Sequence, residues 1–413
     1  MKCQSIATFC SQYARTVVLG AKGSLYLSES LPKDLTFYQT LELPEASSKI
    51  YDLIANSKVS IDISCQLSEL GFRKNNRFFS ALREAAERDV IIRVVLDSNI
   101  SKSDNDYFDE LQTRLQKNIY IGYLNINEIS NRSNCPHHAN FIIFDTHSFY
   151  VGNSDFSSEN SLHNVDLAMF GIKTRNAAKC LLRIFHKYWD LAYNHAVLPI
   201  NWREPVENKV KKINRLLVGD HKTPLCVSVS PPSLKLNDFP SDVQCLFTII
   251  SEQNGDILRI CSMSFSNIEH PRNTLRLYAN IHVGFGVKSR TATIQRGVTV
   301  RILIDSNEIS DPEVKESIAT LNNYKEIEVK LITLPNYDQQ TKRRFLPKLC
   351  IGSEAAWIGT TEFTPDAFYG STGLGFLIFN ENEASSIMIT QMMQYFDRYY
   401  SSRYATNFKT YIE

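Results

Sequence analysis

Two spacings of apolar residues alternate along this chain. The runs 90–96, 257–263 and 298–304 are predominantly apolar, and 59–65 carries apolar residues at every second position, so all four predict strands. Residues 76–89, 177–189 and 384–400 instead repeat their apolar positions every three or four residues, which predicts helices with one buried face. Strands alternating with helices predict an α/β fold of mostly parallel sheets flanked by helices. The apolar runs are far too short to span a bilayer.

The order of these signals occurs twice. Strand 59–65, helix 76–89 and strand 90–97 are echoed by strand 257–263, a segment ending in Arg296-Gly297, and strand 298–305. Phe149-Tyr150-Val151-Gly152-Asn153-Ser154-Asp155-Phe156 is echoed by Ala356-Trp357-Ile358-Gly359-Thr360-Thr361-Glu362-Phe363, and each half closes with an aromatic-rich helix. The repetition predicts a duplicated chain, with an extension at 1–24, one half at 25–205 and the other at 206–413. The junction falls where Trp202, Pro205 and the basic residues Lys209, Lys211, Lys212 and Arg215 interrupt the apolar pattern. That cluster reads as a solvated linker face, with a patch for acidic lipid or nucleic acid as the other reading. Lys342, Arg343 and Arg344 carry the same two readings, but stand better placed to meet a phosphate.

Composition narrows the function classes. Among 413 residues, 43% are hydrophobic and 22% charged, which excludes a disordered or fibrous chain. Lys+Arg 45 against Asp+Glu 44 removes the globally basic surface expected of a nucleic-acid binder. Nine cysteines without a C-x-x-C pair, several in apolar runs (Cys65, Cys261, Cys350), predict free thiols in a reducing compartment. Ser11, Gln12 and Arg15 interrupt any signal-type apolar block, so the expectation is a cytoplasmic protein, with peripheral membrane attachment as an extension of it. The sequon Asn131-Arg132-Ser133 and the acylation candidates Cys3 and Cys10 are too weak to change this.

The candidate chemistry lies in His138-Ala139-Asn140-Phe141-Ile142-Ile143-Phe144-Asp145, followed by Gly152-Asn153-Ser154-Asp155 and then Asp166. The second half has Leu346-Pro347-Lys348-Leu349-Cys350-Ile351-Gly352-Ser353, then Gly359-Thr360-Thr361-Glu362, with Gly370 where the later acid is expected. This pattern resembles the phospholipase D superfamily, whose signature is H-x-K-x4-D followed by G-S-x-N and a later acid, once per half. The texture is closest to poxvirus phospholipase D-like proteins and the endolysosomal exonuclease branch. The resemblance implies two halves packed about a pseudo-two-fold axis. It also implies one His as nucleophile, the other as general acid, Lys and Asn on the phosphate, and the acid fixing the His ring.

Carried over residue by residue, the resemblance makes His138, Lys348 and Asp166 the remains of a catalytic site, with Asp166 orienting His138. Asn140, Asn153, Asp155, Thr360 and Glu362 take the substrate-binding positions. The motif is expected on a strand, with His138 and Asn140 sharing one face. Leu346 stands where the second His belongs and Asn140 where a Lys belongs, while Asp155 and Glu362 put carboxylates at Asn positions. Two like charges about 4 Å apart at an effective dielectric of about 20 repel by roughly 4 kcal/mol, so such a pocket opposes a phosphodiester. His137 and His147 read as structural or surface residues. No metal and no cofactor are expected. A ligand set of His138, Asp155, Asp166 and Glu362 is the weaker alternative, and Cys135-Pro136-His137-His138 lacks a second pair for zinc.

The expected function is therefore a phospholipase D-like pseudoenzyme that keeps the fold for binding a protein partner or membrane lipid, including membrane-associated roles of viral type. Nucleic acid is the less favoured ligand. The alternative is a phosphodiesterase acting on phospholipid or nucleic acid through a phosphohistidine at His138.

Overall fold

Each half of the chain builds one mixed sheet in the computed structural model, which describes residues 23–66, 77–98, 113, 118–130, 135–153, 163–193, 213–234, 236, 239–253, 257–266, 297–338 and 342–412. The first sheet has seven strands, β1 (Ser24–Ser30), β2 (Ser60–Cys65), β3 (Ile91–Asp97), β4 (Ile119–Leu124), β5 (Phe141–Phe144), β6 (Ser148–Val151) and β7 (Asp166–Ile172), in the order β1-β7-β6-β5-β2-β3-β4. The second has nine strands, in the order β16-β12-β11-β10-β13-β14-β15-β9-β8. They are β8 (Leu216–Val218), β9 (Thr223–Ser230), β10 (Ile257–Ser262), β11 (Thr299–Asp305), β12 (Ile327–Ile332), β13 (Lys348–Ile351), β14 (Ala355–Gly359), β15 (Gly373–Phe379) and β16 (Ala405–Asn407).

The α/β class holds, but the expected sense of pairing needs correction. Only β2-β3-β4 and β10-β11-β12 are parallel, and the other neighbours are antiparallel. Connection length decides this. The helices α1 (Arg77–Glu87) and α2 (Pro312–Leu321) lie between parallel strands, whereas β5 and β6 are joined by a tight turn that leaves no room for a crossover. At that turn Asp145 and Thr146 take φ of 49 and 60, and His147 N–H donates to Phe144 O, as a primed hairpin turn requires. The Asp145 carboxylate accepts the N–H groups of Lys58, Val59 and Ser60, so this motif residue fastens the start of β2.

The two long amphipathic helices, α3 (Arg175–Ala192) and α4 (Glu383–Tyr400), bury Leu181, Phe185 and Tyr188 and Met392, Tyr395 and Tyr399 in one hydrophobic cluster shared by both sheets. Phe149 of β6 stacks on Phe376 of β15 within it, with ring centroids 5.3 Å apart. A buried ion pair between Glu29 of β1 and Arg398 of α4, joined by Tyr399 Oη donating to Glu29 at 2.7 Å, ties the first strand to the last long helix. The halves thus share a core, which fixes the seam where the motifs meet.

The seven cysteines among the described residues are free and buried. No helix among the described residues is long and apolar enough to cross a membrane. Lys209, Lys211, Lys212, Cys3, Cys10, the 131–133 sequon and Asp155 lie outside the described residues. Arg215 is described and pairs with Glu381.

Candidate active site

The two motifs approach each other through matched backbone bonds. His138 N–H donates to Thr372 O at 3.0 Å, and its counterpart Leu346 N–H donates to Val165 O at 2.9 Å. One residue earlier, His137 N–H donates to the Asp97 carboxylate at 2.6 Å and Phe345 N–H to Asp305 at 2.8 Å. These pairs relate the halves residue by residue, so that His138 corresponds to Leu346, Asn140 to Lys348 and Asp166 to Gly373.

This corrects one expectation. The position matching Asp166 is Gly373, the first residue of β15 as Asp166 is of β7, and not Gly370, which caps the short helix α5 (Pro365–Tyr369). The seam also crosses the two halves. Gly373 follows the residue bonded to His138, while Asp166 follows the residue bonded to Leu346.

His138 is not on a pleated strand. Asn140 N–H donates back to His138 O at 2.9 Å, a three-residue turn that delays β5 until Phe141. The simple alternation expected for His138 and Asn140 is therefore interrupted. The His138 ring is half-buried, and burial pushes its pKa down to about 4; Glu362 and Asp97 act against this and Lys348 with it. At neutral pH it is a neutral imidazole, the state a nucleophile needs.

The substrate-binding candidates are largely engaged by the chain itself. Asn140 Oδ1 accepts Gln66 N–H at 2.7 Å. Asn153 donates its backbone N–H to Asp166 Oδ2 at 2.7 Å and its side-chain amide to Asp166 Oδ1 at 3.3 Å and across the seam to Gly359 O at 3.2 Å. Thr360 is buried, with Oγ1 accepting Leu374 N–H at 3.1 Å.

Lys348 Nζ lies 2.9 Å from Glu362 Oε1, and both side chains are buried. Glu362 Oε2 accepts Ser264 N–H at 3.1 Å and lies 2.9 Å from Ser262 Oγ, whose single proton it shares with Ser264 O at 2.7 Å. The sequence-based picture of an uncompensated carboxylate at 362 is thus corrected, because the lysine expected to hold phosphate neutralises it. The neighbouring cations are paired as well. Arg343 is buried and forks onto Asp34 at 2.7 and 2.8 Å, and Arg344 meets Glu308 at 2.5 Å.

His137 is a buried fastener between the halves. Ser64 Oγ donates to Ala139 O at 2.7 Å, so it accepts from His137 Nε2–H at 2.9 Å, and His137 Nδ1 takes the Thr372 hydroxyl at 2.5 Å. Sequence reasoning missed Asp242. This buried carboxylate accepts Ser228 Oγ at 2.5 Å, Ser230 Oγ at 2.7 Å and Thr361 Oγ1 at 2.7 Å, and burial pushes its pKa up. A Cβ added at Gly373 would collide with that same Thr361 hydroxyl, so the space for an acid at 373 is filled. The sequence signal was the capping box Ser241 to Gln244, which marks a helix start but not its contact with Thr361.

Among the described residues no group of three His, Cys, Asp or Glu side chains could hold a metal ion. The model of the family "Cardiolipin synthase, PLD-like domain" matches residues 50–189. Phospholipase D Z of Dictyostelium discoideum is 25% identical over 412 residues, covering 94% of this chain and 92% of that protein. The 5'-3' exonuclease PLD3 of Rattus norvegicus is 23% identical over 412 residues, covering 93% of this chain and 80% of that protein. The fold of the phosphatidylserine synthase of Haemophilus influenzae superposes with a TM-score of 0.58 at 12% identity, covering 96% of this chain and 91% of that one. Family model, relatives and shared fold together support the phospholipase D-like superfamily for this chain.

Proposed function

We propose that the chain is a phospholipase D-like pseudoenzyme, in which the fold serves binding and the phosphoryl-transfer centre is closed. The observation that carries this reading is the buried Lys348–Glu362 ion pair, which takes the cation of the motif away from any incoming phosphate. Two further features support it. Each His–acid pair is broken across the seam: His138 is bonded to Thr372, beside Gly373 where an orienting carboxylate belongs, and Leu346, where a histidine belongs, is bonded to Val165, beside Asp166. Thr361, held by Asp242, fills the room in which a side chain at 373 would have to be rebuilt.

A missing general acid lowers a rate by about 10²- to 10⁴-fold, with missing electrostatic stabilisation in addition. The binding target is a protein surface or a membrane surface. The pairing of Arg343 and Arg344 with carboxylates disfavours a polyanion along this rim. The second reading, a phosphodiesterase with His138 as nucleophile, rests on the neutral imidazole beside Lys348. Steady-state turnover of single-stranded DNA and of phosphatidylcholine by purified protein, compared with His138→Ala, separates the two. Equal background rates are expected. A rate lost on that substitution supports the phosphodiesterase.

A further inference from the structure

Between β1 and the helix Ala46–Asn56, residues 31–43 form a strap without regular strand or helix, yet the second half of the chain holds it in place. Leu35 is buried, and Phe37 packs edge-on against Tyr399 and Tyr404, with ring centroids 4.7 and 5.5 Å away. Thr36 N–H donates to Tyr404 Oη at 3.3 Å, Arg398 donates to Leu41 O at 3.4 Å, and Asp34 takes the Arg343 fork. A backbone fastened on both sides of Tyr38 thus presents a ring that is 95% exposed. A ring so exposed buries almost no surface within the chain, so folding gains nothing from an aromatic residue there.

The charge beside that ring is positive. Arg403 is exposed and held by neutral oxygens, Thr36 Oγ1 and Tyr404 Oη, each at 3.0 Å, and it pairs with no carboxylate among the described residues. It differs in this from Arg343 and Arg344. The Tyr38 phenol acts electrostatically on the Arg403 guanidinium, which places the two near each other. Lys33 is exposed on the same strap, and the charge of its neighbour Asp34 is neutralised by Arg343. Glu42 and Glu45 stand at the far end, beyond Leu41. The Arg343 guanidinium also lies over the ring of Tyr337, 5.7 Å from its centroid, so the Asp34–Arg343 pair joins a second tyrosine, 52% exposed, to the strap.

We propose that the strap 31–43 is a membrane-docking surface, which seats Tyr38 among the headgroups of a bilayer and sets Arg403 and Lys33 against anionic lipid. This rests on the binding reading above and names its target and its face. A tyrosine has an apolar ring and a polar tip, which suit the membrane–water interface, and a cation beside it gains from the negative surface potential of an anionic leaflet. A ring standing clear of the chain is a projection, which a deformable lipid surface can receive, whereas an acidic peptide is held in a groove.

The test is flotation of the full chain with vesicles of phosphatidylcholine, with and without phosphatidylserine, comparing wild type, Tyr38→Ser and Arg403→Gln. Wild type is expected to float with the phosphatidylserine vesicles and not with phosphatidylcholine alone. Arg403→Gln is expected to weaken that binding about fivefold, the effect of one cation at an anionic surface. Tyr38→Ser is expected to weaken it as well, with an unchanged melting temperature because the ring buries nothing in the fold. A Tyr38→Trp variant reads insertion independently, through emission that shifts to the blue and is quenched by brominated lipid. No flotation overturns the proposal, as does equal flotation on both vesicles, flotation indifferent to both substitutions, or binding to polyglutamate in place of vesicles. Failure of the pseudoenzyme reading is distinguishable, because it shows as His138-dependent turnover whatever the vesicles bind.

Discussion

Replacing Lys348 by methionine isolates the ion pair on which the functional reading stands. At 2.9 Å and an effective dielectric of about 20, the attraction between the two charges is about 6 kcal/mol. Desolvating two buried ions offsets most of that, so the pair itself contributes little net stability. Breaking it is another matter, because Glu362 would remain buried as a carboxylate without its cation. The usual range for such a loss is about 3–5 kcal/mol. The Ser262 hydroxyl and the Ser264 N–H still solvate the carboxylate, which puts the expected loss near 3 kcal/mol. Adding Glu362→Gln to Lys348→Met removes the stranded charge and is expected to restore most of the stability. Urea denaturation of the four proteins of this cycle at pH 7 reads the coupling. If the two single losses add to within about 0.5 kcal/mol, the residues are not a functional pair and the reasoning fails.

Two further predictions concern the seam. Burial pushes the His137 pKa down to about 4, below the 6.5 of an unfolded histidine, so between those values the unfolded chain binds the extra proton. Its stability contribution is complete above about pH 6.5 and is lost as pH falls toward 4, by roughly 3 kcal/mol at most. Asp305, raised to about 6 by burial, acts in the opposite sense, so the histidine's part is read as the difference between wild type and His137→Phe. That difference is expected to shrink on acidification; a difference constant with pH counts against the assignment. Gly373→Ala is expected to lower stability by about 1–3 kcal/mol through collision with Thr361, measured by thermal melting. A Thr361→Ala background should recover part of this loss, and strict additivity would contradict the filled-space account.

The duplication was legible because each half must bury the same strands and helices, and the apolar runs at 90–96 and 298–304 became β3 and β11 with boundaries shifted by one residue. Sheet sense was less legible. Apolar continuity reports burial on both faces, whereas the antiparallel pairing of β5 and β6 follows from the short turn at Asp145–Thr146. The matching of Asp166 to Gly370 slipped by three residues because α5 separates Glu362 from β15, and the strand start shows only in the pairing of Gly373 with Ser230. Asp145 was visible as a motif residue, but its fastening of β2 was not. The state of the site depended on contacts between distant segments. Lys348 and Glu362 were both identified from the sequence, yet only the pairing of β13 with β14 and the turn after it brings them to 2.9 Å.

Whether the phosphate seat is closed is read by pre-steady-state mixing with bis-p-nitrophenyl phosphate. The p-nitrophenolate leaving group needs no general acid, so the absence of a histidine at 346 cannot by itself suppress the first step, attack by His138. With Glu362 paired to Lys348, no burst of p-nitrophenolate and no mass adduct on His138 are expected. A burst approaching one equivalent per chain, lost in His138→Ala, would contradict it.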